Sequence, residues 1–518
     1  MKRVPINIVA EDETGHDGLP EGWVMCSVED ISVLVTSGSR DWSQFYSTHG
    51  AFFIRSAEIN DYTLRLSEAI RVALPKKVEG KRSLVEKGDI LVTITGANVG
   101  KCAKVDSDIS EAYVSQSVAL IKLKRTELAP FVYYALRALN AAGSQLEEMA
   151  YGVGRPVLSL PQIKSLIIPL APVAEQDRIL LQVETLLARV AAASHHLAAI
   201  PRVLKAFRQS VLAAAFSGRL TEDWREIRPA NESAGVILES IRTRREAEAE
   251  SEAQRERLRT IYDNPEENDS DELPSSWRFV KLSKLCASFD YGTSTKSQSS
   301  GKVPVLRMGN IQRGEIDWTD LAYTSDRDEI MRYRLQPNTV LFNRTNSPEL
   351  VGKTAIYRGG KPAIFAGYLI RIAHLPELDP QYLNLCLSTT YAREFCSHVK
   401  TDGVSQSNIN AQKLGLFELP FCPSAEQHEI VRRVDALFKL ADKIEERVKA
   451  ATKRAENLTQ AILSKAFRGE LVSTEAELAR KERRTYEPAS ELLNRINLNV
   501  APERQELGRR AKRSGKRR

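Results

Sequence analysis

Cysteine is scarce and scattered in this chain: six in 518 residues, at Cys26, Cys102, Cys286, Cys386, Cys396 and Cys422. No CxxC pair occurs and no histidine stands at ligand spacing, which argues against a disulfide framework or a zinc module and leaves reduced structural thiols. Long apolar runs are missing too, and no stretch approaches a membrane span. The N-terminus, MKRVPINIVAEDETGHDG, lacks the apolar core of a signal peptide. A cytoplasmic location with no membrane partner is expected.

Catalytic signatures are equally absent. GKT at Gly352–Thr354 resembles the end of a phosphate loop, but Ser347 stands where that motif requires glycine. There is no GxGxxG opening a helix, no HExxH and no GxSxG. The Asn/Asp-Pro-Pro-aromatic tetrapeptide that holds an exocyclic amine for methyl transfer does not occur either. The seven histidines, His195 and His196 included, are isolated or lie on helix faces. No catalytic residue and no metal site is assigned, and the chain is expected not to be an enzyme on its own.

Charge is nearly balanced once it is located. The net charge is +7, but residues 501–518 alone carry eight Lys/Arg against two Glu, leaving the body close to neutral. That tail fits either nonspecific phosphate contact or a solvated end. A hydrophobic content of 42% and a charged content of 27% are those of a globular protein, and the length suggests three or four domains.

What the chain does have is a long repeat. The stretch from Ala174 to Leu220 recurs from Ala425 to Leu471, shifted by 251 residues without a gap. Both copies carry apolar residues at heptad spacing. The first seam includes Ile179, Val183, Leu186, Val190, Leu197 and Leu204; the second includes Ile430, Val434, Leu437, Ile444, Val448 and Leu458. Lys465 is a misfit, and Pro201 should bend the first copy. Each copy closes with AF-x-G-x-L, glycine falling at the helix C-cap. Two ordinary amphipathic helices would explain one copy; two in the same register point to a matched helix pair.

The repeat extends beyond the helices. LPEGW at Leu19–Trp23 and LPSSW at Leu273–Trp277 open two units of roughly 150 residues each. GDILVTITGANVGKCAKV from Gly88 aligns with NTVLFNRTNSPELVGKTAIY from Asn338, and GVGRPVLSLPQIKSLIIPLAP from Gly152 with GVSQSNINAQKLGLFELPFCP from Gly403. Short β-rich runs broken by Gly, Asn and Pro mark strands and turns. The fold class is α+β: two similar recognition domains separated by two long helices. The expected divisions are a leader, 1–18; a first domain, 19–172; a helical region, 173–261; an acidic linker, 262–272; a second domain, 273–423; a second helical region, 424–499; and a basic tail, 500–518. Glu232 to Thr260 is helical by composition with a thin apolar stripe, expected to be exposed or partner-bound; PASELLNRI is its counterpart.

The frame recurs while the polar loops differ, a pattern that suits two modules reading two different things. In the second unit the candidate DNA-binding residues are Thr293, Thr295, Lys296, Asn343, Arg344, Asn346, Lys353, Gln406 and Asn408, with Tyr291 in the same turn. In the first they are Arg40, Asn98, Lys101, Gln116 and Arg155. Arg, Asn and Gln give bidentate contacts with base edges, and Ser, Thr and Lys hold phosphates. Any one of them alone reads better as an ordinary loop residue; three aligned polar loops per unit favour a DNA-reading face.

With LPEGW and LPSSW, PLAPVAEQ and PFCPSAEQ, AFSGRLTEDWRE and NLTQAILSKAFRGEL on the page, the chain resembles the DNA-specificity subunits of type I restriction–modification systems. The resemblance covers nearly the whole length. It implies two target-recognition domains joined by an antiparallel coiled coil, with double-stranded DNA, usually two methyltransferase subunits, and restriction–translocation subunits as partners. It also implies that S-adenosylmethionine, ATP and Mg are used by those partners and that none is bound by this chain. The second domain departs from LPxGW in lacking its glycine, which touches only the local turn.

Duplex DNA has two-fold axes perpendicular to its own axis, so two like domains related by such an axis would each meet a half-site equivalently. The helices would then run antiparallel and cross near Leu197 and Val448. The seam implies a rod of roughly 55 Å, against ~34 Å for one DNA turn. A coiled-coil adaptor without DNA specificity is the alternative reading.

Overall fold

The computed structural model describes residues 18–38, 41–60, 62–75, 80–150, 156–228, 232–268, 271–403 and 406–498. They divide into two compact units, Met1–Leu197 with Ala450–Arg518 and Ala198–Lys449. Length alone suggested more, but each unit takes in half of each long helix and so builds a larger core than a recognition domain would by itself. No helix among the described residues is long and apolar enough to cross a membrane.

The first unit holds a four-stranded antiparallel sheet in the order Ser32–Ser37, Val118–Leu123, Ile90–Thr93, Cys102–Lys104. The second repeats that order as Cys286–Tyr291, Leu369–His374, Thr339–Asn343, Thr354–Tyr357, and extends it by two short strands. A smaller sheet in each unit contains one parallel pair, Ala51–Ile54 with Ala112–Val114 and Val303–Leu306 with Ile364–Phe365. A two-stranded ribbon ties the opening of each unit to the approach to its long helix, Val24–Ser27 with Ile167–Leu170 and Arg278–Lys281 with Glu418–Phe421. The duplication read from short motifs is thus a duplication of topology.

The long helices run Val173–Phe216 and Ser424–Ala466. Glycines follow both at positive φ, Gly218 at 75° and Gly469 at 71°, as a C-cap requires. In the first unit Ile179 and Val183, near the start of one helix, share a core with Ile462, Leu463 and Ala466, near the end of the other. In the second unit Ile430 and Val434 meet Val211, Leu212 and Ala215 in the same way. Start packs against end in both, so the pairing is antiparallel. Leu204 is buried, Leu186, Val190 and Leu437 are half-buried against these cores, and Leu197, Ile444 and Val448 are half-buried. Leu458 departs from the expected seam at 50% exposure. An α-helix drifts by ~20° per heptad from a strict 3.5-residue repeat, and here the buried stripe keeps the expected seam position Ile462 but widens to Leu463 and Ala466. The same drift explains Lys465: it is exposed because Ala466 faces the core. The first helix continues unbroken through Pro201, whose ring nitrogen leaves the Leu197 carbonyl without its helical donor.

The segments after the long helices are less exposed than their composition implies. Helices Ala234–Ala247 and Glu252–Asp263 bury Ala234, Ile241, Leu258 and Tyr262 in the second core. The acidic run expected to be a flexible linker is held at its start. Glu418 accepts hydrogen bonds from the Glu267 and Asn268 N–H groups (2.7 and 2.9 Å), and Lys284 pairs with Glu266 (2.8 Å). In the first unit helix Ala489–Leu498 takes the corresponding place. Its Ala489 N–H donates to the Gly22 carbonyl, as the Ala234 N–H donates to that of Ser276, both at 2.8 Å. Ser276 therefore replaces the missing glycine without loss of the turn: Trp277 N–H still donates to the Pro274 carbonyl (2.8 Å), as Trp23 does to Pro20 (3.1 Å).

All six cysteines are free and buried. Burial pushes the thiols of Cys102, Cys386 and Cys396 up to about 12, and burial with the nearby Asp30 charge does the same for Cys26. A thiolate-selective reagent should therefore label almost no cysteine in the native chain and all six after denaturation. Rapid labelling of any one in the native state would contradict this packing.

Candidate nucleic-acid interface

In the second unit three polar loops that are far apart in sequence converge. Arg344 follows directly on the strand ending at Asn343, and its guanidinium lies 4.8 Å from the centre of the Tyr291 ring. One terminal nitrogen donates to Asn408 Oδ1 (3.0 Å), the other to the Gly367 carbonyl (3.3 Å). Asn408 Nδ2 donates in turn to Thr345 Oγ1 (2.9 Å), across the short pairing of Thr345–Asn346 with Ser407–Asn408. The Tyr291 hydroxyl accepts from the Ala411 N–H (2.9 Å), which fixes the ring that carries the guanidinium. Tyr291 is 42% exposed and Tyr368, whose carbonyl accepts the Arg344 N–H (2.9 Å), is 47% exposed. The result is an arginine held against the exposed Tyr291 ring by side-chain and backbone bonds, suited to stacking and to polar contact with base edges.

Several expected contact residues lie elsewhere. Asn343 is 0% exposed and its side-chain amide has no partner among the described residues, so it is an interior group and not a reader. Its place at the end of a strand, opposite Leu369, turns it inward, where the sequence showed only a polar residue after an apolar run. Thr293 is buried as well: its N–H donates to the Phe365 carbonyl (2.9 Å) and its hydroxyl accepts the Thr295 N–H (3.0 Å). Thr295 is exposed and donates to Glu329 (3.2 Å), and Lys296 is exposed. Asn346 Oδ1 accepts the Ser347 N–H (2.8 Å), shaping the loop. Gln406 is exposed, with its carbonyl accepting the Gly403 N–H (2.8 Å). Lys353 is half-buried, its ammonium 3.5 Å from Gln312 Oε1.

In the first unit Asn98 Nδ2 donates to the carbonyls of Ser56 and Ile59 (3.2 and 3.3 Å), so its amide holds the loop and is not free to read a base. Lys101 donates to Asn60 Oδ1 (3.4 Å), and Gln116 is exposed between Ser115 and Ser117. Arg40 and Arg155 lie outside the described residues.

Two interactions behind the loops went unread in the sequence. Trp23 of LPEGW donates its indole N–H to Glu175 (3.0 Å), and Trp277 of LPSSW donates to Glu426 (2.8 Å). The glutamine after each glutamate donates to the carbonyl five residues back, Gln176 to Ala171 and Gln427 to Cys422, both at 2.7 Å. The signal was the constant pairing of LPxxW with AEQ. It locks each recognition frame to the first turn of its long helix, where a carboxylate also complements the helix dipole.

This geometry agrees with the comparisons. The model of the type I restriction modification DNA specificity domain matches twice, over residues 20–202 and 274–454. The chain belongs to that family. It is 27% identical over 471 residues to the type I restriction enzyme EcoKI specificity subunit of Escherichia coli K12, covering 88% of this chain and 90% of that one. It is 28% identical over 371 residues to the EcoBI specificity subunit of Escherichia coli (70% of each chain), and 25% identical over 466 residues to the StySPI subunit of Salmonella potsdam (88% and 90%). Among solved structures, a chain from a study of complex assembly and conformational transition of the type I R-M system has a TM-score of 0.63 at 20% identity, covering 87% of this chain and 99% of that one. The HsdS subunit from Thermoanaerobacter tengcongensis has a TM-score of 0.51 at 19% identity, covering 87% and 98%. The chain is therefore a type I restriction-system specificity subunit with two DNA specificity domains.

Proposed function

We propose that this subunit reads a bipartite, asymmetric duplex site, one half-site per recognition domain. In this reading the helix pair sets the unread spacer and its outer faces dock methyltransferase subunits, two of them, with restriction–translocation subunits joining the complex. The observation that carries the proposal is the contrast between frame and loops. Two domains share strand order, turn closure and helix attachment, yet the first has nothing like the Tyr291–Arg344–Asn408 cluster at the matching positions: Ile94 stands where Arg344 does. A shared frame with different reading groups gives two different half-sites and hence an asymmetric whole. Methyl transfer from S-adenosylmethionine and ATP- and Mg-dependent translocation are assigned to the partner subunits.

The test is to co-express the chain with its methyltransferase subunit and map modified adenines across a genome. A two-part motif with a fixed spacer is expected. In the same assay Arg344→Ala should relax one half of the motif, at about 1–3 kcal/mol of lost discrimination, and leave the other half intact. Equal loss in both halves would overturn the one-domain, one-half-site assignment. No motif at all, with the protein partners still bound, would support the adaptor reading.

A further inference from the structure

The GKT at Gly352–Thr354 is no phosphate loop, yet the structure gives it a counterpart. Val99-Gly100-Lys101 and Val351-Gly352-Lys353 occupy the same place in the two units. In each, the N–H of the strand-end residue donates to the lysine carbonyl, Thr93 to Lys101 and Asn343 to Lys353, both at 2.8 Å. The glycine N–H donates back, Gly100 to Thr93 (3.0 Å) and Gly352 to Asn343 (2.9 Å). Both glycines sit at positive φ, 85° and 90°, so the hairpin closes identically. The alanine two residues after each lysine, Ala103 and Ala355, is fully buried in the sheet.

The lysine heads are also placed alike. Lys101 Nζ lies 3.4 Å from the amide oxygen of Asn60, and Lys353 Nζ lies 3.5 Å from that of Gln312. These amides follow equivalent turns, Arg55–Glu58 and Arg307–Asn310, each closed by the same N-cap bond, Arg55 N–H to Glu58 and Arg307 N–H to Asn310. Neither lysine has a carboxylate within salt-bridge distance among the described residues. An amide oxygen orients an ammonium without neutralising it, so both charges stay available to an outside anion. The hairpin tips between strand end and glycine, residues 94–99 and 344–351, differ in both length and sequence.

A group held identically in two domains that read different half-sites cannot carry the difference between them. We propose that Lys101 and Lys353 are equivalent phosphate anchors, one per recognition domain, fixing each domain on the DNA backbone while the loop tips read bases. The assignment rests on the recognition reading above. A lysine ammonium acts as a point charge toward phosphate, and such contacts set position and salt dependence without sequence information.

The test uses the full chain in complex with its methyltransferase subunits and the duplex carrying the mapped site. Lys101→Ala and Lys353→Ala should each weaken binding about eightfold at 0.1 M salt and reduce the slope of log affinity against log salt by about 0.9. Binding to a duplex lacking the site should fall by a similar factor, and the methylation motif should be unchanged. Lys101→Arg and Lys353→Arg should restore the slope, which separates lost charge from a damaged fold. An unchanged slope in the alanine variants, or an altered motif in either half, overturns the anchor assignment while leaving recognition standing. Failure of the unmodified complex to prefer its site overturns both.

Discussion

Replacing Glu426 with alanine should destabilise the second unit by about 3–5 kcal/mol. Its side chain is 1% exposed and takes three donors: Trp277 Nε1 at 2.8 Å, Thr221 Oγ1 at 2.8 Å and Arg225 at 2.5 Å. Arg225 is itself half-buried and lies 5.7 Å from the Trp277 ring centre, so removing the carboxylate leaves its guanidinium with only the Thr221 hydroxyl to donate to (3.0 Å), beside an unpaired indole N–H. Uncompensated burial of a charge is what makes the loss large, more than the energy of the pair itself. Glutamine would not repair it, because an amide offering its NH2 toward one of three donors loses at least one bond.

Glu175 in the first unit provides an internal control. It accepts from Trp23 (3.0 Å) and from the Glu475 N–H (2.8 Å), while the adjacent Arg178 pairs with Glu475 instead (2.7 Å). Glu175→Ala leaves no buried cation alone and should cost about 1–3 kcal/mol. For units of this size ~1 kcal/mol moves a melting temperature by about 2–4 °C. Thermal unfolding of the full chain, followed by hydrogen exchange in each unit, should show the Glu426 variant lowering the second unit's transition by roughly 10 °C. A shift under about 2 °C, or one confined to the first unit, would refute this account of how frame and helix are joined.

These joints show where the sequence was legible and where it stopped. The long helices were readable because their periodicity is a local property repeated over many turns, and LPxxW with PxAEQ marked where each frame is tied to its long helix. The seam failed at Leu458 for a geometric reason: heptad spacing extrapolated over so many residues ignores the drift of a straight helix. The polar loops were legible as loops but not as orientations. Asn343, Arg344 and Thr345 are consecutive polar residues, and the sequence does not distinguish the first, turned into the core by strand alternation, from the second, which lies over Tyr291. The convergence of Arg344 with Asn408 is a long-range product of sheet order. No spacing along the chain encodes it. The Gly-Lys hairpins were legible as two aligned stretches with candidate lysines, but the matching backbone bonds that close both were not.

Inserting one heptad in register into each long helix should lengthen the spacer of the methylated motif without altering either half. Seven residues of α-helix add ~10 Å, which is at most about three base pairs of duplex. The added turns must keep the buried stripe continuous, so the insertions belong in the half-buried stretches around Leu197 and Ile444, away from the cores anchored by Ile179, Val183, Ile430 and Val434. Three base pairs also turn the duplex by roughly 100°, given 10–10.5 base pairs per turn, so the lengthened subunit meets its second half-site out of angular phase. Weaker methylation is therefore expected together with the new spacing, and three heptads, adding ~31 Å, should come closer to restoring it because that rise is near one DNA turn of ~34 Å. A rigid ruler requires both effects: a spacer that grows with helix length, and an efficiency that falls and recovers with the pitch of DNA. An unchanged spacer would mean that something other than the helix pair sets half-site separation. A changed spacer at undiminished efficiency would mean that the two domains turn freely enough to follow the duplex.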